Sequence, residues 1–166
     1  MCFRLVHRLR TIANMLVFSQ EYLDLSSNGL YGILPSQLGQ VPTLRRIDLS
    51  DNKLFSTIPH ELGYLNHLEF IDLGSNQLTG SIPTTVGSMA KLSGLSLYDN
   101  YLSGTLPKEL SQIQSLQLIY IDGNEMRGSV SSDVCQLDTL RELWADCDRM
   151  VCSCCTTCCT SQGCGR

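Results

Sequence analysis

The chain has 166 residues, 43% of them apolar and only 17% charged, which leaves room for one domain with a real core and excludes wholesale disorder. Twelve lysines and arginines against sixteen acids give a net charge of −4, which excludes a general nucleic-acid binder, since that function needs a basic face. No stretch approaches the roughly 18 consecutive apolar residues that a membrane span requires.

Residues 1–20 carry Arg4, Arg8 and Arg10 and no acid, so residues 21–166 hold nine bases and sixteen acids, a net −7. Leu5, Leu9, Ile12 and Leu16 fall on one face of a helix. The expectation is a capping helix over the first turn of a stacked fold, or the remnant of a gene start. A signal peptide with its apolar run at Ile12–Phe18 is one alternative, and an arginine-bearing transit peptide is another. Asn14 interrupts that run, and no small-residue cleavage site follows it.

From Glu21 onward the text repeats. Asn28, Asn52, Asn76, Asn100 and Asn124 keep a strict period of 24. Around them run EYLDLSSNGLYGILP, RIDLSDNKLFSTIP, FIDLGSNQLTGSIP, GLSLYDNYLSGTLP and LIYIDGNEMRGSVS. A degraded sixth copy puts Leu143, Asp148 and Met150 in the slots of the leucine, the asparagine and the next leucine. One copy can bury its leucines only against the copies above and below, so the copies must stack.

Each slot has a physical reason. In Ile47/Leu49, Ile71/Leu73 and Leu95/Leu97, apolar residues alternate with Asp48, Asp72 and Ser96. That predicts a short strand with one face buried and the other in solvent. The asparagine stands where the strand ends and the chain bends inward; its amide donates and accepts, and can satisfy backbone groups there. Gly32, Gly80, Gly104 and Gly128 permit unusual backbone angles, and Pro35, Pro59, Pro83 and Pro107 start the returning arc. Apolar residues then recur at threes: Leu62, Leu65, Leu68; Val86, Met89, Leu92; Leu110, Ile113, Leu116; Val134, Leu137, Leu140. Such spacing predicts one helical or 3₁₀ turn on the back of the coil. The expected fold class is therefore α/β, a right-handed solenoid over residues 21–144. Its parallel strands line the concave face and its short turns the convex one.

The unit LxxLxLxxNxLxGxIPxxLGxLxx resembles the plant-type leucine-rich repeat of receptor-kinase ectodomains and polygalacturonase inhibitors. The likeness departs from that pattern at Ser56, in the glycine slot, and at Ser131, in the proline slot. The N-terminal cysteine pair of those ectodomains is absent from the sequence. The resemblance implies a receptor-like or inhibitor-like role outside the cell or at its surface, in a piece of a longer protein. Any membrane contact would then run through another part of that protein.

Of nine cysteines, eight lie between Cys135 and Cys164. The tail ADCDRMVCSCCTTCC resembles the cysteine-rich end of leucine-rich-repeat proteins from diatoms and related algae. Short loops with few apolar residues need staples, so residues 145–166 are expected to form a disulfide-bonded cap. Its cysteines are Cys147, Cys152, Cys154, Cys155, Cys158, Cys159 and Cys164, with Cys135 upstream. Their pairing cannot be read from spacing, and Cys2 makes the count odd. A metal site is the alternative, since Cys155-x-x-Cys158 and Cys152-x-Cys154 have ligand spacings, although no histidine lies among them. No Asn-x-Ser/Thr sequon occurs.

No catalytic constellation emerges, and no cofactor is expected. His7, His60 and His67 have no nucleophile or acid in a plausible relay, and the glycines follow the repeat and form no phosphate loop. Asp24, Asp48 and Asp72 stack in one outward column, which reads as an ordinary solvated slot. Recognition remains. The outward slots of the last three strands hold Tyr98, Tyr120 and Trp144 with Asp122 and Asp146, and Tyr120 and Trp144 share a column. Exposed aromatics mark binding surfaces. The competing reading buries Trp144 beneath the tail with Tyr120 packed on it. The function expected is a non-enzymatic module that binds a peptide, protein or glycan on its strand face. A structural spacer and an intracellular cysteine-rich metal protein are the alternatives.

Overall fold

The structure, a computed structural model, describes residues 21–160 and 163–165. The expected N-terminal cap at residues 1–20 lies outside the described residues, as does Cys2.

The alternating pattern forms strands where the spacing places them. They are β1 (Tyr22–Asp24), β3 (Arg46–Asp48), β5 (Phe70–Asp72), β7 (Gly94–Ser96), β9 (Leu118–Tyr120) and β11 (Glu142–Asp146), each parallel to the next. Leu23, Ile47, Ile71, Leu95, Ile119 and Leu143 stand opposite one another in register, and all are buried. After the prolines the chain makes 3₁₀ turns at Ser36–Gln40, His60–Tyr64, Thr84–Ser88 and Lys108–Gln112. Between the two layers lies one continuous apolar core, from Leu23 to Met150.

The asparagine ladder ties each bend to its neighbours. The Asn76 amide group donates to the carbonyl oxygens of Leu49, Leu73 and Gly74, and its Oδ1 accepts the Leu54 N–H at 2.9 Å. Asn100 and Asn124 repeat the arrangement one and two turns later. These buried amides satisfy backbone groups that would otherwise be costly to leave unpaired.

A second sheet is not announced by the periodicity. Strands β2 (Tyr31–Ile33), β4 (Lys53–Thr57), β6 (Gln77–Gly80) and β8 (Tyr101–Leu102) follow the asparagines and pair in parallel along one flank. The inward residue of β4, β6 and β8 is the leucine two places after the asparagine, Leu54, Leu78 or Leu102, and that of β2 is Gly32.

On the convex side the turns pack backbone against backbone. A Cβ on Gly63 would collide with the Thr85 carbonyl oxygen of the next turn, and Gly39 and Gly87 stand in the same relation to Glu61 and Glu109. The fourth copy has Ser111 in this slot, and the arc above it departs from the pattern. It is a one-turn α-helix, Ser132–Cys135, in which the Ser131 hydroxyl accepts the Asp133 N–H.

The cysteine-rich tail prolongs the concave sheet. Strand β12 (Met150–Val151) pairs with β10 (Gly128–Ser129), β13 (Thr157–Thr160) lies parallel to β11, and β14 (Gly163–Gly165) turns back antiparallel to β13. Four disulfides hold it: Cys135–Cys154, Cys147–Cys158, Cys152–Cys155 and Cys159–Cys164. Asp148, in the asparagine slot of the last bend, is exposed, and the Asp146 carboxylate accepts the Gly123 and Asn124 N–H groups, whose counterparts one turn earlier bond to backbone carbonyls. Among the described residues, no helix is long and apolar enough to cross a membrane.

Candidate ligand-binding face

Three outward columns cross the concave sheet. The first runs Tyr22, Arg46, Phe70, Gly94, Leu118, Glu142, and the second Asp24, Asp48, Asp72, Ser96, Tyr120, Trp144. Two residues beyond the second lie Ser26, Ser50, Gly74, Tyr98, Asp122 and Asp146.

The aspartate column is occupied with its own turns. Asp24 and Asp48 each accept both the backbone N–H and the hydroxyl of the serine two residues on, and Asp72 accepts the Gly74 N–H and the Ser96 hydroxyl. Arg46 sits 3.5 Å from Asp48 and lays its guanidinium over the Phe70 ring at 4.5 Å. One oxygen of each carboxylate thereby shapes a strand end, as an ordinary turn acceptor does.

The aromatic end is different. The Tyr120 and Trp144 rings meet at 5.0 Å between centroids, tilted by 58°. The Tyr120 hydroxyl donates to Glu142 at 2.7 Å. Burial, and then the Glu142 carboxylate, push the Tyr120 phenol up to about 12, so it stays a donor at any physiological pH. Thr157 stands opposite Trp144 on β13, yet the indole remains only half-buried. Beside it opens a cleft of about 400 Å³ lined by Arg141, Glu142, Trp144, Thr156 and Thr157.

The five site residues expected from sequence are all half-buried on this sheet, and the structure distributes them unequally. Tyr120 and Trp144 are in contact. Tyr98 leans the other way: a Cβ on Gly74 would collide with its ring. Both Asp146 oxygens hold backbone N–H groups. Asp122 points toward the last disulfide, 3.9 Å from the Cys164 sulfur. Sequence reasoning did not anticipate the stacking of Arg46 on Phe70 or the hydrogen bond from Tyr120 to Glu142. An outward glycine was the available signal, because Gly94 lacks the Cβ that would collide with the Phe70 ring.

Catalytic chemistry finds no footing among these groups. His60 pairs with Glu61 at 3.3 Å and His67 lies 3.2 Å from the Pro42 carbonyl, both on the convex side.

The register, the 3₁₀ arcs and the asparagine ladder define the family, and the chain belongs to the leucine-rich-repeat proteins: the family described as leucine-rich repeat region matches residues 19–163. Among solved structures, the plant peptide hormone receptor RGFR1 in complex with RGF2 is 32% identical, with a TM-score of 0.73 over 82% of this chain and 21% of that one. A TDR receptor is 28% identical, with a TM-score of 0.77 over 84% of this chain and 24% of that one. A chain of the BIR3–SERK2 complex from Arabidopsis thaliana is 33% identical, with a TM-score of 0.67 over 80% of this chain and 72% of that one. The chain thus spans less than a quarter of the two larger receptors and nearly three quarters of the smaller relative. No curated protein sequence matches it significantly.

Proposed function

We propose that this chain is a non-enzymatic recognition module, outside the cell or at its surface, that binds a protein or peptide on its strand face. The observation that carries the reading is the Tyr120–Trp144 pair, held half-exposed beside an open cleft. A merely solvated face avoids such side chains, and a binding face concentrates them. The similar structures support the reading: one is a plant peptide hormone receptor in complex with RGF2, and another a complex of BIR3 with SERK2.

The ligand patch comprises Tyr98, Tyr120, Asp122, Trp144 and Asp146, with Tyr120 and Trp144 as its anchor. Carboxylates around the rings favour a ligand with basic as well as apolar groups, which a basic peptide combines. A glycan would stack on the rings and gain less from the charge. Residues 145–166 close the solenoid as its C-terminal cap.

The test is a random-peptide display selection on the immobilised protein, followed by affinity measurements on Trp144→Ala, Tyr120→Ala and Asp48→Ala. Aromatic truncation is expected to weaken the selected peptides by about 30-fold, the equivalent of roughly 2 kcal/mol, with Asp48→Ala close to the parent. Loss at Asp48 with normal binding at both aromatics would move the site to the aspartate column. A selection that enriches nothing on this face would favour the spacer.

A further inference from the structure

At the C-terminal end of the concave sheet a carboxylate faces a disulfide. Asp122 Oδ2 lies 3.9 Å from Cys164 Sγ, and ligand atoms of Asp122, Cys159 and Cys164 all fall within 4.8 Å of one another. Asp122 Oδ1 is buried and has no hydrogen-bond partner. Burial pushes its carboxyl up against an opposing backbone hydrogen bond, and the like charges of Asp146 and Asp99 add to the rise. A half-buried carboxylate with one unpartnered oxygen, facing two sulfur atoms within ligand distance of one another, is placed to hold a cation.

We propose that this corner is a thiol-switched metal site: reduction of Cys159–Cys164 leaves two thiols that, with Asp122, bind a zinc-type divalent cation. The reductant is a thiol or dithiol of the oxidoreductase class. Its thiolate attacks Cys164, the only exposed cysteine among the eight described, and Cys159 leaves as thiolate. A second thiol of the reductant resolves the mixed disulfide, so two electrons pass to the protein and the reductant ends as its own disulfide. Cation binding then displaces one proton from each protein thiol.

The geometry suits that chemistry. Metal–sulfur bonds of about 2.3 Å in a tetrahedral site set the two sulfurs roughly 3.8 Å apart, a separation that only the broken disulfide allows. Two thiolates and a carboxylate fill three tetrahedral positions, and water takes the fourth. Cys159 and Cys164 are directly opposed on β13 and β14, so the strand pairing keeps the thiols facing one another after the bond is broken. The neighbouring Asp146 is committed to backbone N–H groups and contributes no ligand. An occupied site would also cancel negative charge at the edge of the aromatic patch.

The test uses the whole chain with cobalt(II) as a spectroscopic probe and zinc as competitor. Limited treatment with a phosphine reductant should free two thiols per chain, which alkylation and peptide mass mapping should place at Cys159 and Cys164. That species should bind one cobalt ion with sulfur-to-metal charge-transfer and tetrahedral ligand-field bands, displaced by one zinc. The double variant Cys159→Ser, Cys164→Ser, treated identically, should lose the bands, and Asp122→Asn should weaken zinc at least tenfold with its thiol count unchanged. Thermal melts of both variants before reduction check that each is folded. The proposal is overturned if the double variant binds cobalt like the parent, if Asp122→Asn binds zinc with parental affinity, or if the untreated protein binds equally well.

Discussion

Asp24 and Asp72 occupy the same slot two repeats apart, and their surroundings pull them in opposite directions. The Ser26 backbone N–H and hydroxyl hold the Asp24 carboxyl below its ordinary value. Burial pushes Asp72 up, against the bonds it accepts from Gly74 and Ser96. Asp122 is raised by burial too, with Asp146 and Asp99 adding to it. For such a raised acid the folded state holds its proton to higher pH than the unfolded chain does. Its contribution to stability is therefore full below the ordinary carboxylate value, falls as pH rises through the folded value, and stays low above it. Asp122→Asn should consequently raise the melting temperature at pH 7, and the gain should shrink toward zero near pH 3; melts at the two pH values measure this, and a loss at pH 7 contradicts it. Backbone strain offers a second single-residue test. Ser56 adopts φ +75° in the slot where Gly80 and Gly104 have φ +76° and +81°. It is exposed, so no contact repays the strain. Ser56→Gly should stabilise by about 0.5–1 kcal/mol in a urea titration, the relief of left-handed strain being partly offset by the freedom glycine adds to the unfolded chain.

The strands, the asparagine bends and the 3₁₀ arcs were legible because each rests on a short-range pattern. Period-two alternation fixes which face Ile47 and Leu49 bury, and proline followed by leucines at threes marks the turn. The flanking sheet was not legible, since its four strands are two to five residues long and present a single inward residue each, a leucine in three of them and Gly32 in β2. At the site, the columns followed from the register, whereas the lean of Tyr98 over Gly74 depends on a Cβ missing from the adjacent strand. Pairing of the cysteines needs three-dimensional proximity that spacing does not encode. The pairs found differ in how much chain they constrain: Cys135–Cys154 spans 19 residues of sequence and ties the convex arc to the tail, while Cys152–Cys155 spans only 3. Loop-closure entropy rises with that span, so replacing Cys135 and Cys154 by serine should cost about 3 kcal/mol and replacing Cys152 and Cys155 roughly half as much. Denaturant melts of the two double variants check the order; equal or inverted costs would mean that native-state packing, and not the unfolded chain, sets these contributions.

At the scale of the whole molecule, the described residues share one continuous core that runs from Leu23 to Met150. Leu73 packs in a column that continues unbroken through Leu49 and Leu97, and the ladder passes from each asparagine to the next bend. Coupling between adjacent turns therefore carries the stability, because an isolated repeat has nothing on which to bury its leucines. A break in the chain between the third and fourth repeats exposes buried faces on both fragments, including Leu73, Met89 and Leu92 on one side and Leu97, Leu110 and Ile113 on the other. Each such side chain represents roughly 1.5–3 kcal/mol when fully buried, and a fold of this size has a net stability of only about 5–15 kcal/mol. Neither fragment should melt cooperatively at the parent's midpoint. The two fragments are not equivalent, however, since the four disulfides all lie in the C-terminal one. The oxidised C-terminal fragment should keep part of its strand signal in circular dichroism and lose it on full reduction, while the N-terminal fragment should be largely unfolded in either condition. Two independent cooperative transitions, each near the parent's midpoint, would instead show that the coil is divided into separate folding units.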